Sequence, residues 1–259
     1  MYDYLTFTID QGVGTISLNR TKSLNALNND VIAELMDAFE TCQYGEKIRV
    51  IVLEGKGRGF CAGDDLKGMG TEKHPNPEDK LKEFQEGYPR LVLKMQSIEK
   101  PIICKVHGFA LGAGFELALC ADILISTKDA KFGLPFVLRG IAAGTHLLQQ
   151  YVGYHKACEM LFTGETITGE EAKKLGIVNR LSIEKELDDD VNQLASQLAN
   201  GATRAIGLMK SALNRSANYT LEEGMHEQAY ATTASFMTQD FVEGHEAFKE
   251  KREPVFKGK

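Results

Sequence analysis

The stretch that most restricts this chain is residues 107–119, HGFALGAGFELAL, where five Gly or Ala positions precede a single acid, Glu116. Small residues at such a place let the backbone come close to another group, and the apolar run that follows begins a helix with Glu116 in its first turn or two. A second glycine-rich stretch, GRGFCAGDDL at 57–66, also stands where a strand-like run ends. Glu116 lies between Phe115 and Leu117, so burial would raise its pKa toward the range useful for general acid and base work. The other reading is a glutamate on a solvated helix face.

The flanking segments predict an α/β fold. Residues 4–9 and 14–18 carry β-formers around an Asp-Gln-Gly-Val-Gly turn, a hairpin signal with Gly12 and Gly14 as the permissive positions. Asn28 or Asn29 can cap a helix on which Val31, Ile32, Leu35, Met36 and Phe39 recur at helical spacing. RVIVLEG reads as a buried strand, a polar helix is expected near 79–98, and KPIICKV reads as a strand with the small residues after it as its exit turn. ADILISTKDAKFG at 121–133 adds another strand, and KHPNP at 73–77 is the most loop-like stretch. Beyond residue 145 the strand signal shrinks to GIVNRLS. Helical periodicity fills 183–200, 202–217, 220–237 and 240–250, expected as a helical layer rather than an independent domain.

Composition narrows the function classes. With 259 residues, 43% hydrophobic and 25% charged, the chain can build one substantial core unaided by staples. A net charge of -6 argues against a protein whose main business is binding nucleic acid. No apolar run approaches the roughly 18 residues of a membrane span, and MYDYLTFTID lacks the regions of a secretory signal, so the expected location is cytoplasmic, with no membrane partner. The five cysteines are odd in number and widely spaced without a CxxC pair, which predicts free buried thiols and no metal site.

Neither GKGRGF nor GFALGAG has the GxGxxG order, and GxxxxGK[ST], HExxH and GxSxG do not occur. Dinucleotide, P-loop, zinc-peptidase and lipase-type readings lose their main support. Either remaining glycine turn is accounted for by tight strand-to-helix packing. The two together, followed by an acid on an apolar helix, match an oxyanion hole: two backbone N–H donors aimed at a carbonyl oxygen that gains charge. His107 and His146 lie near the second turn in sequence and are expected to pack or cap, and Asp65 is expected to cap a helix.

The ordered series SLNAL at 23–27, GFCAGDDL at 59–66, KPIICKVHGFALGAGFELALCADILIS at 100–126, FGLP at 132–135, LFTGETITGEEAKKLGIVN at 161–179 and the ending EGHEAFKEKREPVF resembles the enoyl-CoA hydratase/isomerase (crotonase) superfamily over nearly the whole chain. The resemblance implies an α/β fold of the ClpP/crotonase type, a spiral of ββα units over residues 1–200 followed by a helical trimerisation region at 201–259. It implies acyl-CoA thioester substrates, no cofactor beyond the coenzyme A of the substrate, and a homotrimer or homohexamer. The N–H groups of Asp64 and Ala113 would grip the thioester carbonyl while Glu116 carries a proton. Ala62 would lie by the adenine, Lys22 and Lys251 would meet the phosphates, and Gly112 and Phe136 would contact substrate.

The same resemblance locates a departure. Hydratases of the family hold water between two glutamates, and the second would follow Pro135, where this chain has Phe136. No acid appears from there through Gly144, where related enzymes place an aspartate. Losing one general acid or base typically slows a reaction about 10²- to 10⁴-fold. The expectation is therefore an enoyl-CoA hydratase of fatty-acid or related acyl degradation. The alternatives are a Δ3,Δ2-enoyl-CoA isomerase or other crotonase reaction using one glutamate, and a non-catalytic acyl-CoA-binding subunit. Acyl chain length would be set partly by the 67–90 segment.

Overall fold

Alternating β-formers open the chain as the expected hairpin, β1 (Leu5–Asp10) and β2 (Val13–Leu18), paired antiparallel from Leu5 with Leu18 to Asp10 with Val13. The computed structural model describes residues 2–66, 81, 85–216 and 218–259. The turn takes positive φ at Gln11 and Gly12, 44° and 85°, as a hairpin turn matched to strand twist requires. Gly14 is therefore not a turn residue. It pairs with Ile9 inside β2, and a Cβ there would lie 3.1 Å from the Ile48 side chain, so close packing explains it.

Helix α1 (Asn29–Tyr44) starts where Asn28 supplies the cap, its side-chain oxygen accepting from Val31 N at 2.9 Å. Its buried face is Val31, Leu35, Ala38, Phe39 and Cys42. Replacing Asn28 by Ala leaves that N–H without its partner and is expected to lower stability by about 1 kcal/mol in urea denaturation, with activity unchanged.

Strand β3 (Val50–Gly55) is buried along its whole length. Alternate side chains enter two different cores: Ile51 and Leu53 face α1, while Val50 and Val52 face α6 (Leu187–Ala199). Among the described residues, the large sheet runs β1-β2-β3-β4-β6-β9, with β4 (Ile102–Val106), β6 (Ile123–Thr127) and β9 (Arg180–Ser182), parallel after the hairpin. A smaller mixed sheet runs β5-β7-β8, with β5 (Phe109–Leu111), β7 (Lys131–Gly133) and β8 (Thr166–Thr168).

The small sheet corrects the sequence expectation at three places. Residues 109–111 form a strand rather than only an exit turn, 121–133 holds two strands in different sheets, and 166–168 is a strand with no counterpart in the expectation. Three residues are too few to display a period of two, so long-range pairing alone defines them. Of the helix expected near 79–98, the structure gives α2 (Tyr88–Ser97). KHPNP and most of the remainder of that segment lie outside the described residues.

Each turn of the chain thus lays one strand in the large sheet and the next segment in or beside the small one, then returns by a helix. These helices include α3 (Ala113–Leu119) and α4 (Leu147–Thr163). The segment after β3 follows the pattern, since Cys61 bridges Ala110 of β5. After α5 (Gly169–Lys174) and α6 come α7 (Thr203–Ser216), α8 (Leu221–Phe236) and α9 (Gln239–Glu250). The expected division at residue 200 falls in the short connection between α6 and α7. α7 is tied to the core by buried Lys210, whose Nζ lies 2.8 Å from Asp122. α8 buries none of its described residues, and Leu221, Tyr230, Met237 and Phe248 are exposed. No helix among the described residues is long and apolar enough to cross a membrane.

Candidate active site

The SLNAL loop builds the first glycine turn. Asn25, in the left-handed region at φ 57°, donates its side-chain amide to the carbonyls of Lys56, Gly59 and Phe60 at 2.9, 3.1 and 3.0 Å. Residues 61–65 are then clamped on both sides. Cys61 N donates to Phe109 O at 3.1 Å and Leu111 N to Cys61 O at 3.0 Å, while Leu27 N donates to Gly63 O and Asp65 N to Leu27 O, both at 2.8 Å. This ladder passes over Asp64 N, which makes no main-chain hydrogen bond among the described residues. The sequence reading did not assign Asn25 a part in the turn; its positive φ follows from the loop's return path, which no local pattern encodes.

The second turn brings a second such amide beside the first. Gly112, at φ 53°, is the residue before α3, and Ala113 N is the first amide of that helix, a group with no partner within its own helix. Gly63, at φ 95°, allows the contact: a Cβ there would stand 2.7 Å from Leu111 O and 3.4 Å from Ala113 N. The amides of Asp64 and Ala113 both lie near enough to the Asp64 carboxyl to favour its charged form. Burial raises its pKa, and those two amides oppose the rise. The two glycine turns thus bring both N–H groups to the surroundings of one carboxyl.

Glu116 stands one turn into α3, with Phe115 and Leu117 fully buried on either side. Burial, reinforced by the nearby Asp64 carboxyl, pushes its pKa up to about 7. It is half-buried, so a ligand can reach it, and it is not on a solvated face. Glu54 shows the opposite case. It is more deeply buried, yet hydrogen bonds from Lys105, Lys56 and Ser17 outweigh the burial and hold it at about 2, as expected of a structural ion pair.

The raised pKa of Glu116 makes a stability prediction. Folded chains keep its proton up to about pH 7, whereas an ordinary glutamate releases it near 4.5. The stabilisation is fully present below the lower value and is lost as pH climbs to the upper one, by on the order of 3 kcal/mol. Urea unfolding of wild type and Glu116→Gln across that window should show wild type losing ground relative to the variant as pH rises. A difference that stays flat with pH means the carboxyl is solvated.

Phe136 lies in the single-turn helix Pro135–Arg139, with its ring 3.5 Å from where a Cβ would stand on Gly112 and 3.4 Å from the same point on Gly144. The ring thus lies between the second glycine turn and Gly144, and neither position 136 nor position 144 carries an acid. Ala62 N donates to Leu24 O at 3.0 Å, which ties the first turn to the loop bearing Lys22, an exposed residue of Thr21–Ser23. Lys251 caps the C-terminus of α9; among the described residues no hydrogen bond or ion pair joins it to Lys22, Ala62 or Glu116.

Other candidates resolve into structural roles. His107 Nε2 lies 2.8 Å from Gly57 O, and His146 Nε2 lies 3.0 Å from Gln150 rather than capping α4. Asp65 does not act only as a cap, since it pairs with Arg20 at 2.7 Å. The five cysteines are free, four of them buried and Cys158 partly so. Among the described residues no group of three or more His, Cys, Asp and Glu side chains is arranged to hold a metal ion.

The family model described as enoyl-CoA hydratase/isomerase matches residues 8–259. The chain is 34% identical to the 1,2-epoxyphenylacetyl-CoA isomerase of Escherichia coli, with all of both chains covered. It is 36% identical to the 2,3-dehydroadipyl-CoA hydratase of the same organism, with 96% of each covered. The crystal structure of an enoyl-CoA hydratase from Mycobacterium smegmatis superposes with a TM-score of 0.92 at 34% identity, covering 98% of each chain. Two glycine turns meeting beside a half-buried glutamate, on a fold shared from end to end with these proteins, place the chain in the enoyl-CoA hydratase/isomerase (crotonase) superfamily, whose substrates are acyl-CoA thioesters.

Proposed function

We propose that the protein is an enoyl-CoA hydratase, adding water across the double bond of a 2-enoyl-CoA to form the 3-hydroxyacyl-CoA. The observation that carries this reading is the pair of amides, Asp64 N–H and Ala113 N–H, converging beside a glutamate whose pKa is about 7. The thioester oxygen displaces the Asp64 carboxyl from those amides and receives the negative charge of the enolate. Glu116, protonated near neutrality, supplies or removes the proton. Ala62 and Lys22, joined through Leu24, receive the adenine end and phosphates; Lys251 is assigned to the phosphates of the same ligand. Gly112 and Phe136 border the acyl group. The resemblance to 2,3-dehydroadipyl-CoA hydratase supports the choice of reaction.

Phe136 favours a second reading. An apolar ring in place of a second acid suits transfer of a proton along the acyl chain by Glu116 alone, as in an enoyl-CoA isomerase, and one relative is named an isomerase. Incubation with a 2-enoyl-CoA and a 3-enoyl-CoA, followed by mass analysis, separates the two, because hydration adds a water and isomerisation adds nothing. Thioester binding without turnover, unaltered in Glu116→Gln, would select the non-catalytic alternative. The exposed apolar side chains of α8 and α9 support assembly as a homotrimer or homohexamer.

A further inference from the structure

Among the described residues, three buried polar side-chain atoms have no hydrogen-bond partner: Asn25 Oδ1, Gln43 Oε1 and the hydroxyl of Tyr88. The first two are amide oxygens and can only accept. Tyr88 alone carries a proton with nowhere to donate it. It is the first residue of α2, only 9% exposed, and its ring belongs to the same core cluster as Cys61, Ala113, Phe115 and Cys120. Among the described residues, the ionisable groups whose charge bears on its hydroxyl include Cys120, Glu116, Asp64 and Cys61, drawn from α3, its C-terminal end and the first glycine turn. The orphan donor thus belongs to the part of the core that packs the first glycine turn and α3.

Native proteins rarely leave a buried donor unpaired, and where they do a functional role or a bound water or ion is among the usual reasons. Burial and the neighbouring acids hold the phenol's pKa above its ordinary value, so it stays protonated and offers a hydrogen bond rather than a proton. The thioester oxygen is already provided for by the amides of Asp64 and Ala113 under the function proposed above. The acceptor left for Tyr88 belongs to the acyl group, next to the carbons on which Glu116 acts. A second carboxylate there would be repelled by Glu116 and Asp64, which leaves a neutral oxygen.

Resting on that reading, we propose that Tyr88 is a specificity-determining residue: its hydroxyl donates to a neutral oxygen borne by the acyl group near its β-carbon, so that the site prefers hydroxylated acyl-CoA thioesters to their deoxy counterparts. No bond to hydrogen breaks at Tyr88. The ring contributes packing to every acyl-CoA, and only the hydroxyl discriminates.

The test uses butyryl-CoA and 3-hydroxybutyryl-CoA, which differ by one hydroxyl, titrated by calorimetry into Glu116→Gln, where turnover is suppressed, with and without Tyr88→Phe. The expected result is tighter binding of the hydroxy thioester by the parent, and about a tenfold loss of that binding in Tyr88→Phe. Butyryl-CoA affinity and melting temperature should stay at or above the parent's. An equal loss for both thioesters would make Tyr88 a packing residue and overturn the proposal, as would no loss for either. If the parent binds neither thioester, the acyl-CoA reading fails and the Tyr88 proposal fails with it.

Discussion

Glu116→Gln is expected to lower kcat on a short 2-enoyl-CoA by about 10²- to 10⁴-fold, with KM changed far less. The amide keeps the size and hydrogen bonding of the carboxyl but cannot give up or take a proton, so it removes the transition-state role while leaving the thioester gripped by the Asp64 and Ala113 amides. The pH dependence carries a sign. Hydration needs the protonated acid to deliver to the α-carbon, the proton lost by the attacking water returning to the carboxylate, so wild-type kcat/KM should fall as pH rises through about 7. Hydration takes up no net proton, so kcat/KM for dehydration of the 3-hydroxyacyl-CoA should fall through the same pH. Both inflections should vanish in the variant. Undiminished turnover by Glu116→Gln would remove this residue from the chemistry altogether.

Gly63→Ala is expected to reduce kcat by about 10²- to 10³-fold, the loss associated with one misplaced oxyanion donor. Gly63 holds φ at 95°, and an added Cβ would meet Leu111 O at 2.7 Å and Ala113 N at 3.4 Å. Neither neighbour can yield easily, because Leu111 N is bonded to Cys61 O and Gly112 N to Gly133 O, locking β5 and the start of α3. The strand segment bearing Asp64 N must therefore shift away from Ala113 N, and the two donors no longer share a target. Stability should fall as well, since φ is unsuited to alanine. Asp64→Asn is the matched control: it retains the backbone donor and removes only side-chain charge, so it should cost far less in kcat. Equal losses in the two variants would mean that the Asp64 side chain, and not its amide, performs the function.

The elements that could be read from the residues were those with enough length to show a period or a cap. Val31, Leu35 and Phe39 repeat over about two turns behind Asn28, and RVIVLEG is apolar on both faces because helices cover both sides of β3. Strands β5, β7 and β8 could not be read, because three residues pair only where a distant segment offers an edge. Gly14 shows the same limit from the other side: a glycine beside a turn is ambiguous until the packing of Ile48 against it is known.

What the chain's own order determined was the inventory of the site: two glycine turns, an acid on an apolar helix, and an aromatic ring at position 136. The tertiary structure decided which atoms meet. It brought the turns bearing Asp64 N and Ala113 N together, left the Tyr88 hydroxyl unpaired, set the Phe136 ring near Gly112 and Gly144, and separated buried Glu54, saturated by lysines, from Glu116, which has none among the described residues. Residue identity fixes what a group can donate, accept or exclude. Its charge state and partners depend on desolvation and on neighbours far along the chain, and those exist only after the backbone has closed on itself.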